Sequence, residues 1–250
     1  MLEGKVAVVS GAGPNIGREI AGTLASSGAN VVCLDVRGET AEATAREVVD
    51  RGHDAIAVEG DITRPEDMDN LVAQALSAYG HIDILVNNAA ITNSAGLLDE
   101  SLETFRRVVD VILTGTFNCT QHMAKQMVRQ GSGGAIVNIA STSGHRGKSG
   151  AIAYQSAKAA ILNFTRACAV ELAPHNIRVN SVTPFQTGMP VGRKPMRDDG
   201  QPPKSVPRGR WGKPKDQAQA VLFLVSDNAD FITGVDLPVD GGNLAMRISD

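Results

Sequence analysis

Tyr154-Gln155-Ser156-Ala157-Lys158 sets a phenol and an ammonium four residues apart. On a helix that spacing puts both groups on one face. A positive lysine beside a phenol favours the phenolate and lowers its pKa. The pair is then an acid–base group usable near neutral pH. Ser141 lies thirteen residues before Tyr154, just past an apolar run. Its hydroxyl can hydrogen-bond a substrate oxygen and hold it near the phenol. A Y-x-x-x-K pair alone is common by chance, so its weight depends on what accompanies it.

A second group of residues suits phosphate. Ser10-Gly11-Ala12-Gly13-Pro14-Asn15-Ile16-Gly17 follows the first apolar run. A glycine-rich turn between a strand and a helix presents backbone N–H groups to a pyrophosphate, and the helix dipole favours that charge. The generic G-x-G-x-x-G spacing fits poorly, because its last position is Ile16 and Gly17 falls one later. Asp35 closes the second apolar run, eighteen residues after Gly17. A carboxylate there accepts hydrogen bonds from the adenosine ribose hydroxyls and repels a 2′-phosphate. This predicts NAD as cofactor, with NADP the less favoured. Arg18 and Arg37 are near enough to soften that preference.

These residues need elements to position them. Short β-branched runs at 5–10, 30–35, 54–59, 82–86, 135–139, 177–182 and 235–239 read as strands. Stretches of helical period at 16–27, 40–51, 65–79, 102–129, 152–173 and 214–225 alternate with them. Strands apolar throughout suit a parallel sheet covered on both faces. The alternation predicts an α/β fold, a doubly wound parallel sheet with helices on both faces, as a single domain over 1–250. The stretch 185–213 breaks the order. With the boundary Pro184 it holds six of the eleven prolines, and it reads as a long, mobile substrate loop or lid.

Composition excludes several other functions. The 250 residues carry 24 basic and 27 acidic side chains, a formal net charge of −3, so no global field draws the chain to nucleic acid or an anionic membrane. Aromatic content of 4% argues against a base-stacking surface. The three cysteines, Cys33, Cys119 and Cys168, are scattered in apolar runs and read as buried thiols of a reducing cytoplasm. No signal-peptide core, membrane span or lipid anchor is expected. The histidines have no ligand neighbours at metal spacing, so no metal is expected. His145 reads as a solvated loop residue.

Together the motifs resemble the short-chain dehydrogenase/reductase (SDR) family, classical type, over essentially the whole chain. Asp61-Ile62 looks like the family's adenine-contacting segment, and Asn87-Asn88-Ala89-Ala90 like its N-N-A-G motif. Val137–Ser141 resembles the serine motif, Asn180–Pro184 the segment after strand six, and Gly234 with Asp240-Gly241-Gly242 the C-terminal signature. The resemblance implies a Rossmann-like fold and reversible hydride transfer between NAD(P) and a secondary alcohol or ketone. Tyr154 would be the acid–base and Ser141 would orient the substrate oxygen. Lys158 would lower the phenol's pKa and hold the nicotinamide ribose. Gly11, Asn15, Ile16, Gly17, Asp35, Asp61, Ile62, Asn88, Ala89, Pro184 and Thr187 would line the cofactor, together with Tyr154 and Lys158. Family members are commonly tetramers, which implies a homotetramer here.

Four departures stand out. Asn15 replaces the family's middle glycine, and Ala90 the glycine of N-N-A-G. Ile112 stands where an asparagine normally joins the proton relay, leaving Thr114 as a candidate substitute. Phe185 follows Pro184 in place of glycine, so Thr187 rather than Met189 is assigned the nicotinamide carboxamide. The segment 191–216 carries eight basic against three acidic side chains, which suits an anionic substrate such as a carboxylate or a thioester carrier. The alternatives are a diol dehydrogenase or enoyl reductase on the same scaffold, or a non-catalytic NAD-binding regulatory protein.

Overall fold

The apolar runs form one seven-stranded, all-parallel sheet in the order β3-β2-β1-β4-β5-β6-β7. The strands are β1 (Val6–Ser10), β2 (Asn30–Asp35), β3 (Ala55–Glu59), β4 (Ile84–Asn87), β5 (Gly134–Ile139), β6 (Ile177–Pro184) and β7 (Asp236–Val239). The helices are α1 (Ile16–Ser26), α2 (Gly38–Asp50), α3 (Pro65–Tyr79), α4 (Leu102–Val109), α5 (Gly115–Gln130), α6 (Ile152–Leu172) and α7 (Pro214–Val225). The computed structural model describes residues 1–188 and 204–246.

Strand periodicity explains why these runs are apolar at every position. Ala7 and Val9 face one core layer with Ile20, Leu24, Val48 and Val221. Val6 and Val8 face the opposite layer with Met68, Leu71, Met123 and Met127. Both faces of β1 are therefore buried, as a doubly wound sheet requires. A third, smaller core joins α4 to α6 through Val108, Ile112, Ala153, Ala157 and Ile161.

The stretch expected as one helix over 102–129 is broken. A π-helical turn over Asp110–Thr114 separates α4 from α5. Gly115 lets the chain come close to the loop between β3 and α3 there: a Cβ on it would meet the Ile62 side chain at 2.6 Å. Of the expected loop 185–213, residues 189–203 lie outside the described residues. Its two described ends are joined to each other, since Thr187 bridges to Gly212 and Gly188 N–H donates to Gly212 O at 3.1 Å.

The order of strands reverses between β1 and β4. In such sheets ligands sit in the crevice beyond the carboxyl ends of the strands at that point. Ser10, Asp35, Asn87, Ile139 and Pro184 all stand at those ends.

Candidate active site

The glycine-rich turn is shaped by the segment that follows β4. Gly11 has φ +62°, and a Cβ on it would stand 2.7 Å from Ala89 Cα. Gly17 has still less room: a Cβ would meet Gly11 O at 2.0 Å. Asn88 braces the turn, its Nδ2 donating to Gly11 O at 2.7 Å. Thr44, which sequence reasoning missed, donates to Ala12 O at 2.6 Å. Ile16 opens α1 and packs against the first core layer.

A cavity of about 1040 Å³ opens beside this turn, lined by Gly11, Asp35, Asp61, Ile62 and Ala89 among others. Asp35, Asp61 and Ile62, assigned to adenosine, are thus brought together with Gly11 of the pyrophosphate turn and with Ala89. Asp35 lies against the turn, since a Cβ on Gly13 would be 3.3 Å from its Oδ2. Its Oδ1 accepts from Arg37 N–H at 3.1 Å. Arg18 does not reach this cavity's acid; its guanidinium bonds Thr44 at 3.3 Å and pairs with Glu47 at 3.4 Å. Asp61 Oδ1 accepts from Thr63 N–H at 2.9 Å and from its hydroxyl at 2.7 Å, which fixes the carboxylate's direction. Bare backbone at Gly11 and Gly17, a strand-end carboxylate and an adjoining cavity fit a dinucleotide.

The residues expected to transfer the proton meet at the carboxyl end of β5. Ser141 caps a short turn over Thr142–Gly144, accepting from Ser143 N–H at 3.1 Å. That turn lies on α6 so closely that a Cβ on Gly144 would stand 2.7 Å from Lys158 O. The contact brings Ser141 beside Tyr154, where its hydroxyl favours the phenolate. Lys158 is buried, donates to Ile139 O, and has its Nζ 5.9 Å from the Tyr154 ring centroid. Gln155, between the two, pins the 148–151 loop through Lys148 N–H (2.8 Å) and Lys148 O (3.0 Å).

The electrostatics differ from the sequence reading in one respect. Burial holds the Tyr154 phenol above its ordinary value, and the Ser141 hydroxyl works against that rise. Lys158, expected to bring the phenol down, is itself pushed down to about 8 by burial. Its ammonium is directed at the Ile139 carbonyl, so in this chain alone it does not offset the desolvation of the phenol.

The departures also resolve. Ile112 is buried against the α6 core beside Tyr154, an apolar plug where a hydrogen-bonding side chain was expected. Thr114 is no substitute: its hydroxyl turns back to Asp110 Oδ1 at 3.4 Å. Pro184 ends β6 opposite Val239. Thr187 stands nearby, but its hydroxyl donates to Phe185 O at 2.9 Å and accepts from Gln217 at 3.1 Å. The hydroxyl's proton is thus engaged, which leaves it one lone pair to accept from the amide of a carboxamide. His145 is not simply solvated. Its Nε2 lies 3.0 Å from Asp236, whose other oxygen accepts from Ser181 (2.6 Å) and Thr183 (2.8 Å). Of the basic stretch, Arg193, Lys194 and Arg197 lie outside the described residues. Arg210 is paired bidentately with Asp216 at 2.6 and 2.8 Å.

Known proteins agree with this geometry. Residues 11–243 match the family model described as enoyl-(acyl carrier protein) reductase. The chain is 40% identical to the 2,5-dichloro-2,5-cyclohexadiene-1,4-diol dehydrogenase of Sphingobium indicum, covering 98% of this chain and 99% of that one. It is 39% identical to the cis-4-hydroxycyclohexanecarboxylate dehydrogenase of Sinomonas cyclohexanicum, covering 97% of each. A solved 3-ketoacyl-(acyl-carrier-protein) reductase from Brucella melitensis, complexed with NADH, superimposes with a TM-score of 0.89 at 38% identity, covering 97% of this chain and 99% of that one.

The chain belongs to the short-chain dehydrogenase/reductase family. It is an NAD(P)-dependent oxidoreductase of the alcohol/carbonyl class.

Proposed function

We propose that this protein is an NAD-dependent dehydrogenase that oxidises a secondary alcohol on a small six-membered ring. The observation that carries the chemistry is the assembly of Ser141, Tyr154 and Lys158 at the end of β5, opposite the glycine-rich turn. Ala90 and Ile91 stand with Tyr154 against the α4–α6 core, an apolar wall suited to hydrocarbon. The names of two relatives point to ring alcohols.

The Ser141 hydroxyl donates to the substrate oxygen and holds it at the phenol. Tyr154 takes the hydroxyl proton as the carbinol carbon gives up its hydride, leaving a carbonyl. Bound NAD supplies the hydride acceptor, and its positively charged ring favours the phenolate. Lys158 adds its positive charge and holds the ribose hydroxyls. The main chain at Gly11, Asn15, Ile16 and Gly17 cradles the pyrophosphate, with Asn88 and Ala89 behind it. Asp61 and Ile62 take the adenine, and Pro184 with Thr187 flanks the nicotinamide. Asp35 selects NAD through the ribose hydroxyls. An enoyl reductase needs no Ser–Tyr pair on a carbinol oxygen, so the intact set favours alcohol chemistry; a diol is simply one such alcohol.

A panel of ring alcohols, each as a neutral and carboxylate pair, tests substrate and cofactor together. Production of NADH from ring alcohols is expected, with little turnover using NADP. Asp35→Ala should lower kcat/KM with NAD about tenfold or more and raise the NADP-to-NAD ratio, because one charge-assisted contact is lost and one repulsion removed. An unchanged ratio contradicts the role of Asp35. Arg208 and Lys215 line a second cavity of about 710 Å³ with Phe185 and support an anionic substrate group. Equal kcat/KM across the pairs removes that part of the reading.

We also place the protein in the cytoplasm as a homotetramer of one domain per chain. Its cysteines are free thiols, and no helix of the described residues is long and apolar enough to cross a membrane. Phe117, Val128 and Val170 on α5 and α6, and Phe223, Phe231 and Val235 near β7, expose apolar side chains that pairing would cover. Sedimentation at four times the chain mass is the expected result; a monomer would contradict it.

A further inference from the structure

Position 15 holds an L-residue where the backbone calls for glycine. Asn15 has φ 93° and ψ −129°. That conformation is strained for any side chain and persists only where the surroundings hold it. The side chain shows what does so. Asn15 Nδ2 donates to Thr187 O at 3.4 Å, joining the turn that opens α1 to the segment that leaves β6. Gly188 fits around it: a Cβ there would stand 2.0 Å from Asn15 Oδ1 and 3.1 Å from Pro214 Cγ. The 187–188 segment is anchored on its other side as well. Gly188 N–H donates to Gly212 O at 3.1 Å, and Thr187 Oγ1 accepts from the buried Gln217 at 3.1 Å.

We propose that Asn15 is a positioning residue that fixes the 187–188 backbone against the glycine-rich turn. It thereby sets the distance between the wall that takes the pyrophosphate and the wall that takes the nicotinamide. A glycine at 15 would form the same turn and leave the two walls unconnected. Asn15 and Gly188 form a matched pair, since the space a Cβ would need at 188 is where the Asn15 amide stands. This rests on the dinucleotide site proposed above.

Calorimetric titration with NADH and with ADP-ribose, which lacks the nicotinamide, separates the two walls. Asn15→Gly relieves the backbone strain, so the variant folds. It is expected to bind NADH about fivefold to tenfold more weakly, the size of one lost hydrogen bond, with ADP-ribose within about twofold of wild type. Gly188→Ala displaces the Asn15 amide and should give the same nicotinamide-selective loss. In the Asn15→Gly background its further nicotinamide-selective loss should be smaller than in wild type, a non-additivity that marks direct contact, while the backbone cost of alanine at φ +55° is common to both backgrounds. Unchanged NADH affinity in Asn15→Gly overturns the proposal. So does an equal loss for both ligands, which would confine Asn15 to the pyrophosphate turn. Wild-type protein that binds neither ligand overturns the cofactor site itself, a separate failure.

Discussion

Tyr154→Phe is expected to lower kcat/KM for alcohol oxidation by about 10²- to 10⁴-fold, the usual worth of a positioned proton acceptor. The ring keeps its place against the α4–α6 core, so NAD affinity and melting temperature should hardly move. Only the phenol oxygen beside Ser141 is removed. Because burial holds the phenol above its ordinary value, wild-type oxidation should also climb as pH rises, as the proton acceptor is unmasked. Initial rates across pH for wild type and variant check both statements. A variant that retains wild-type kcat/KM would remove Tyr154 from the proton step.

Lys158→Met is expected to be nearly inactive and yet more stable. The ammonium is buried, and its proton is lost near pH 8 rather than 10.5. Below pH 8 both folded and unfolded chains are protonated, and the folded chain carries the full cost of burying the charge. Between pH 8 and 10.5 the folded chain has released the proton while the unfolded chain still holds it, so stability rises with pH. A shift of that size corresponds to about 3 kcal/mol. Methionine keeps most of the stem volume and removes the charge. Chemical denaturation at pH 7 should therefore show the variant more stable by on the order of 2–3 kcal/mol. That gap should close as wild type gains stability through the pH window. Loss of the charge beside the phenol should meanwhile cost about 10²-fold or more in kcat. A variant less stable than wild type at neutral pH contradicts the account of a charge held for function at a cost in stability.

The sheet was legible because burial on both faces leaves an unmistakable residue pattern. Runs such as Val6–Val9 are apolar at every position since both core layers claim them. The positions of the candidate residues at strand ends were legible for a related reason: Asp35 and Ser141 are polar groups at or just past the ends of such runs. The π-helical turn at Asp110–Thr114 was not legible, because one extra residue per turn leaves the apolar periodicity of α4 and α5 almost unchanged. Contacts between distant segments were also invisible. Nothing in the spacing shows that Thr187's hydroxyl is taken by Gln217, that His145 meets Asp236, or that Thr44 holds the glycine-rich turn. The phenol's electrostatics failed for the same reason: sequence placed Lys158 one turn from Tyr154 but could not show its ammonium aimed at the Ile139 carbonyl.

The most direct test of the central claim is the fate of one hydrogen. A ring alcohol deuterated at its carbinol carbon, turned over with NAD, should yield NADH carrying that deuterium together with the ring ketone, and Tyr154→Phe should yield almost none. If no alcohol in the panel passes its carbinol deuterium to NAD, the protein is not the dehydrogenase argued for here.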